Sequence, residues 1–317
     1  MRKISAFLIV LSLIFTTLGC SSQETHSSPQ KEDDGVLKIV ATNFPPYDFA
    51  RQIAKDNAEI TMILNAGGES HSYEPTLEDI AAIQNCDIFI YSGGDSDSWG
   101  EKILKSCDTS DITVIRMLDL VQPLYLHHEN EDEVENHTHE GETPDEHVWT
   151  SPKNAIKIVE AISQAAAKAD KAHQNEYKNN ASTYIAELQK LDGSFKEAVE
   201  NSKRKSIIFA DRFPFLYFSQ EYGLEHFEAL EGCTSDTEPT LSSINSLIQK
   251  VKSDNIPAVF YIEFSSGTIA DKICDATGAE KLLFHSCHSV SQEELKEGET
   301  YLSLMEGNLE RLKKALA

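Results

Sequence analysis

Histidine is where this sequence concentrates its chemistry. Five of its 11 histidines lie between Leu126 and Trp149. His127, His128, His137 and His139 sit in a stretch with nine acids between Glu129 and Glu146, and no Lys or Arg occurs from Met117 to Pro152. Imidazole nitrogen and carboxylate oxygen are donors that zinc accepts. A segment so charged cannot pack, and its composition suits weak metal capture. A solvated acidic loop with incidental histidines has the same composition. Three further histidines have a different setting. His71 follows Gly67-Gly68-Glu69-Ser70, His147 precedes a long helical region, and His285 ends an apolar run. Each sits near the end of an expected strand or the start of an expected helix, where open α/β sheets place ligands. Any one alone reads as a structural histidine; three in equivalent positions read as ligands.

The elements that position them follow from hydrophobic periodicity. Strands are expected at residues 37–42, 60–64, 87–91 and 112–115, with helices at 47–56 and 99–106 and one opened by Pro75 at its first position. Strands alternating with helices imply a parallel sheet. Ser151-Pro152 opens a strand-free block of about fifty residues, in which Ile156, Val159, Ile162 and Ala166, then Ile185, Leu188, Leu191, Phe195 and Val199, recur at helical spacing. Alternation resumes with strands at 206–210, 258–262 and 281–285 and helices at 239–253, 267–276 and 301–316. The fold class is α/β: two parallel-sheet lobes joined by a long helical spine. No internal repeat is read at the level of sequence identity.

The N-terminus has the layout of a secretory signal: Arg2 and Lys3, then an apolar run from Ile4 to Leu18. That run is short for a membrane span, which needs ~20 apolar residues. Leu18-Gly19-Cys20 resembles the lipobox of bacterial lipoproteins, which implies cleavage after residue 19 and a lipid on Cys20. Residues 20–35 read as a flexible tether, too polar to offset their ordering entropy. The net charge of −24 becomes −26 once Arg2 and Lys3 are removed. So acidic a surface argues against nucleic acid, whose phosphates it would repel. No second apolar run of spanning length occurs, so contact with the bilayer is expected through acylated Cys20. Export permits disulfides. Cys86 starts a strand and Cys107 ends the helix running back beside it, so a Cys86–Cys107 bond is expected. Cys233 and Cys287 are open to pairing or to remaining thiols near a metal, and Cys274 is unassigned.

Two motifs resemble a known family. Gly68-Glu69-Ser70-His71-Ser72-Tyr73-Glu74-Pro75-Thr76 is similar to the first metal-ligand motif of the zinc- and manganese-binding solute receptors of ABC importers. Glu146-His147-Val148-Trp149-Thr150-Ser151-Pro152 resembles their second, which usually reads Asp-Pro-His-x-Trp-Leu-Ser-Pro. The resemblance runs from Leu37 to the C-terminus. It implies an N-terminal lobe over 36–150 with a His/acid-rich loop at 126–146, a spine over 151–203, a C-terminal lobe over 204–317, and one metal in the cleft between the lobes. It further implies delivery of the metal to the importer's membrane permease by a monomeric, extracytoplasmic lipoprotein. The second half departs from the family pattern. Phe209-Ala210-Asp211-Arg212-Phe213-Pro214-Phe215 stands where a histidine motif is usual, with Asp211 the nearest donor, and His285 falls where an acid is usual. The expected ligands are therefore His71, His147, His285 and Asp211. A salt-bridge role for Asp211 is the alternative, and Glu238 reads as a helix-start residue. Three imidazoles with at most one carboxylate favour Zn²⁺, with Mn²⁺ second because it prefers more oxygen. No His-Glu-x-x-His or Gly-x-Ser-x-Gly occurs, so a receptor is expected rather than an enzyme. An adhesin or a zinc hydrolase is the remaining alternative.

Overall fold

The computed structural model describes residues 35–125, 144–230 and 238–317. The signal segment, Cys20, the tether, Cys233 and the histidines His127, His128, His137 and His139 lie outside the described residues. The first lobe runs β1 (Leu37–Ala41), α1 (Phe44–Ala54), β2 (Ala58–Met62), α2 (Leu77–Asn85), β3 (Ile88–Tyr91), α3 (Ser98–Ser106) and β4 (Thr113–Arg116). Its four strands are parallel, in the order β2-β1-β3-β4. Central β3 is buried at all four positions, as a strand covered on both faces must be.

Two helices follow, α4 (Pro152–Ala169) and α5 (Gln174–Glu200). Pro152 occupies the first turn of α4, and the Ser151 hydroxyl accepts the Asn154 N–H, so this helix has a defined start. The expected helical spine is thus built as a pair of packed helices. Asp170 makes the break: its carboxylate accepts the Ala172 N–H at 2.9 Å, pairs with His173 Nδ1 at 2.6 Å and accepts the Tyr177 hydroxyl at 2.7 Å. The 27 residues of α5 span about 40 Å at 1.5 Å per residue. This helix packs against α1 of the first lobe and α10 of the second.

The second lobe holds β5 (Ser206–Phe209), α6 (Leu216–Tyr222), β6 (Glu225–Glu228), α7 (Leu241–Ser253), β7 (Ala258–Tyr261), α8 (Thr268–Thr277), β8 (Glu280–Leu283), α9 (Gln292–Glu297) and α10 (Tyr301–Leu316). Its sheet is parallel in the order β6-β5-β7-β8, which repeats the topology of the first. Strand β6 escapes sequence reading because Glu225-His226-Phe227-Glu228 is an edge strand with one apolar residue.

One apolar core runs through both lobes and the helical pair, including Phe49, Trp149, Leu188, Phe195, Phe218, Phe284 and Tyr301. Polar ties cross it. The Tyr301 hydroxyl donates to the Trp149 carbonyl at 2.6 Å, and the Tyr301 N–H donates to Asp48 Oδ2 at 2.8 Å. Asp48 is fully buried beside Arg51 at 2.8 Å, and burial still pushes its carboxyl above the usual range.

Three expectations change. Pro75 lies just before the helix rather than in it, and Thr76 is the N-cap of α2, in a capping box with Asp79. Glu-Pro-Thr-Leu occurs twice, at 74–77 and 238–241, so a short repeat does exist. Cys86 and Cys107 both pack on one small core behind β3 but remain thiols. Each Sγ meets the carbonyl three residues back, Ile83 at 3.1 Å and Leu104 at 4.0 Å.

Tyr301→Phe leaves the Trp149 carbonyl without this buried donor. It should cost about 1–3 kcal/mol, the usual range for stranding a buried polar group. Urea unfolding checks this; an unchanged midpoint and slope would show that the tie contributes nothing.

Candidate metal centre

His71, Glu146, His147 and His288 bring one donor atom each to within 4.8 Å of one another. Four segments set this up. The residues after β2 turn at Gly67 and Gly68; a side chain on Gly68 would press on the Asn65 carbonyl and Leu64. His71 follows, half-buried. His147 leads a short helical turn before α4 and is 3% exposed. Its Nδ1 meets Asp145 Oδ1 at 2.6 Å, and the same oxygen accepts the His147 N–H at 3.0 Å. A carboxylate gripping Nδ1 fixes the tautomer and turns Nε2 to the group, the usual outer support of a metal-binding imidazole.

Glu146 is buried against Gly94, whose lack of a side chain lets the carboxylate approach; Glu146 Oε2 accepts the Ser96 N–H at 3.0 Å. Gly93-Gly94, which reads as a simple turn in the sequence, is therefore a seat for this acid. Burial pushes the Glu146 carboxyl up to about 7, against the opposing charge of His147.

His288 comes from the segment after β8. That segment is pinned at several points. Asn308 accepts the His285 N–H at 2.7 Å and donates to the His285 carbonyl at 2.7 Å. Glu263 accepts the Ser286 N–H at 2.7 Å, and Trp149 Nε1 donates to the Ser286 carbonyl at 2.8 Å. Cys287 has φ +62°, a conformation costly for a side chain with Cβ, and it swings the next residue round to the group. The Gly67 N–H donates to the Val290 carbonyl at 2.7 Å, so the His288 segment is fastened to the His71 loop as well.

The rings pack edge to face: His71–His288 at 5.9 Å and His147–His288 at 5.2 Å, with Trp149 against both His147 and His288. Burial pushes the His71 and His288 imidazoles below the ordinary range, with His147 a further cause. Both are therefore held neutral, the form that binds metal. Nε2 of His71, Nε2 of His288 and Glu146 Oε1 are buried with no hydrogen-bond partner among the described residues. Leaving such atoms bare costs about 1–3 kcal/mol each, and a cation would satisfy all of them together. Three imidazole nitrogens and a carboxylate oxygen fit zinc's tetrahedral set.

The expected ligand set is brought together only in part. His71 and His147 meet. His285 is not in the group: its Nδ1 accepts the Cys287 N–H at 2.9 Å, and its Nε2 lies 3.5 Å from Glu294 Oε1. Burial works against its charge, but Glu263 and Glu294 outweigh burial and raise its pKa, while His285 holds the Glu294 carboxyl down at about 2. Buried between two acids, His285 braces the turn that presents His288. Asp211 lines the same cleft as His71 and His288 but lies outside the four-residue group; its Oδ1 accepts the Arg212 N–H at 2.9 Å. His288 and Glu146 escape sequence reading. The signal was present in His285-Ser286-Cys287-His288, where two imidazoles three residues apart follow a strand, but only the first sits at the strand end.

Residues 39–315 match the family ZnuA, described as zinc-uptake complex component A periplasmic. The chain is 33% identical over 317 residues to the zinc-binding lipoprotein AdcA of Streptococcus pneumoniae, an alignment covering 99% of this chain and 61% of that protein. It thus spans about three-fifths of the length of that relative. It is 30% identical over 318 residues to the high-affinity zinc uptake system protein ZnuA of Bacillus subtilis, covering 99% of this chain and 98% of that one. Among solved structures, the Zn(II)-bound ZnuA-like domain of Streptococcus pneumoniae AdcA superposes with a TM-score of 0.72 at 30% identity, over 89% of this chain and 99% of that domain. The metal-dependent lipoprotein YcdH of Bacillus subtilis gives 0.75 at 29% identity, over 89% of this chain and all of that one. With nearly the whole folded part matched, this chain belongs to the ZnuA family of zinc-uptake components.

Proposed function

We propose that the chain is an extracytoplasmic receptor that binds one Zn²⁺ through His71, Glu146, His147 and His288 and delivers it to the membrane permease of an ABC importer. The observation that carries this reading is the convergence of three buried donors and the half-buried His71, with His71 Nε2, His288 Nε2 and Glu146 Oε1 bonded to no other group among the described residues. The relatives' names concern zinc binding and zinc uptake, which supports zinc as the cargo. The nitrogen-rich set favours Zn²⁺ over Mn²⁺. The receptor reading needs no turnover. Lipid attachment at Cys20 would hold the protein at the outer face of the cytoplasmic membrane.

The ligand assignment separates two histidines three residues apart. His288→Ala should weaken zinc binding by about a hundredfold or more, as for loss of one of four donors, each of which contributes a share of the ~10–16 kcal/mol typical of such sites. His285→Gln, which keeps an uncharged polar group in the turn, should bind far more tightly than His288→Ala. Competition with a chelator of known affinity reads both. If His288→Ala keeps parental affinity, the four-residue group is not the site.

The pH dependence has a defined order. Zinc needs every donor deprotonated, so affinity is flat at high pH and falls as protons return. Glu146, raised to about 7, takes up its proton before His71 and His288 on acidification. His71 and His288, lowered from 6.5, follow at lower pH. Affinity should therefore fall about tenfold per pH unit just below neutrality and more steeply further down. Glu146→Gln should bind more weakly and lose the first, shallow segment. A variant with the parent's full profile would remove Glu146 from the ligand set.

Cys20→Ser in the full chain should move the protein from the membrane fraction to the soluble fraction. Retention in the membrane pellet after a high-salt wash would rule out a lipid at Cys20.

A further inference from the structure

The cleft holds a cavity of about 70 Å³, whose walls include His71, His288, Asp211, Arg212, Glu69, Glu263 and Phe264. Liquid water occupies about 30 Å³ per molecule, so there is room for two small polar groups beside the donors. The acids in this wall are mostly engaged. Glu69 Oε1 accepts the His71 N–H at 3.4 Å, Glu263 accepts the Ser286 N–H and hydroxyl, and Asp211 Oδ1 accepts the Arg212 N–H.

Two polar groups are left over. Asp211 is 8% exposed, and its Oδ2 is buried with no hydrogen-bond partner among the described residues. The half-buried Arg212 guanidinium has neither a hydrogen bond nor an ion pair among them. It lies close enough to His71 for its charge to help keep that imidazole neutral. A guanidinium repels a bare cation, so its place beside a cation site calls for a reason. A planar fork of donors next to an unmet carboxylate oxygen suits a ligand that carries a carboxylate and an amine side by side. Phe264 adds an apolar wall. It is 57% exposed and has φ +58°, a conformation that a bulky side chain keeps only where its surroundings impose it, as at ligand clamps.

We propose that this cavity receives zinc as its complex with an α-amino acid: Arg212 takes the carboxylate, Asp211 the amino group, and Phe264 the side chain, while the four donors take the metal. The proposal rests on the receptor reading above. In the transfer, the zinc–nitrogen and zinc–oxygen bonds to the amino acid break, and their electron pairs leave with the amino acid. Bonds from His71, Glu146, His147 and His288 to zinc replace them. The freed amine takes a proton from solvent, and the amino acid departs as its zwitterion. With the complex held on Arg212, the exchange runs inside one docked assembly, which raises its rate over a chance encounter.

The test loads the full chain, purified in detergent, from zinc–L-histidine and from zinc–histamine by stopped flow. Histamine keeps the imidazole and the amine and lacks the carboxylate. Loading is read from the fluorescence of Trp149, whose ring packs on His147 and His288. Arg212→Gln should slow loading from the histidine complex about tenfold, the low end for loss of a charge-assisted hydrogen bond, and should not slow loading from the histamine complex. Arg212→Lys, which keeps the charge and loses the fork, should fall between the parent and Arg212→Gln with the histidine complex. Asp211→Asn should slow both, since both complexes carry the amine. Competition with terpyridine should show that Arg212→Gln binds zinc no more weakly than the parent, because Arg212 gives the metal no donor. If Arg212→Gln changes loading from the two complexes by the same factor, or loses zinc affinity, the amino-acid subsite is overturned and the receptor reading stands. If the parent takes zinc from neither complex at equilibrium, both fall.

Discussion

Three imidazoles and a carboxylate are held against one another, mostly buried, and the donor atoms of His71, His288 and Glu146 have nothing else among the described residues to bond. Much of the structure around the cleft maintains that arrangement. Asp145 clamps the far side of the His147 ring, Gly94 makes room for Glu146, and Trp149 packs on the His147 and His288 rings while its indole N–H grips the Ser286 carbonyl, two residues before His288. The Tyr301 hydroxyl then holds the Trp149 carbonyl from α10. These supports come from residues far apart in the chain, and they converge on the segment between the lobes.

The donors are unequally shared. His71 belongs to the first lobe, Glu146 and His147 to the segment leading into α4, and His288 alone comes from the second lobe. The His288 segment is tied to the His71 loop through Gly67 and to the linker through Trp149. The distances among the imidazoles therefore depend on short local ties as well as on the long α5 helix that spans both lobes. Asp211 and Arg212 line the same cleft as His71 and His288.

Much of the fold was legible because buried strands such as Ile88–Tyr91 and the apolar face of α10 carry periodicity that burial demands. Strand β6 was not, because an edge position lets polar residues in. The break between α4 and α5 was written only in the side-chain contacts of Asp170, which need the folded partners Tyr177 and His173 to be seen. His71 and His147 were readable from local motifs. His288 was not, since its place depends on the positive φ of Cys287 and on the bracing of His285 by Glu294 and Asn308, contacts made across the lobe. The Cys86–Cys107 expectation shows the limit of proximity: the two share one core, yet no disulfide joins them.

The bracing of His285 has a consequence for how the cleft responds to an ion. The Glu294 carboxylate that faces His285 is also the capping acid of α9, accepting the Ser291 N–H at 2.7 Å and hydroxyl at 2.8 Å. One side chain thus joins a helix start on the protein's exterior to the turn carrying His288. A displacement of His288 would load that turn, and the load would reach Ser291, the N-cap of α9, through a single carboxylate. The turn that presents His288 thus borrows part of its rigidity from a six-residue helix, and helix ends open more readily than a buried core.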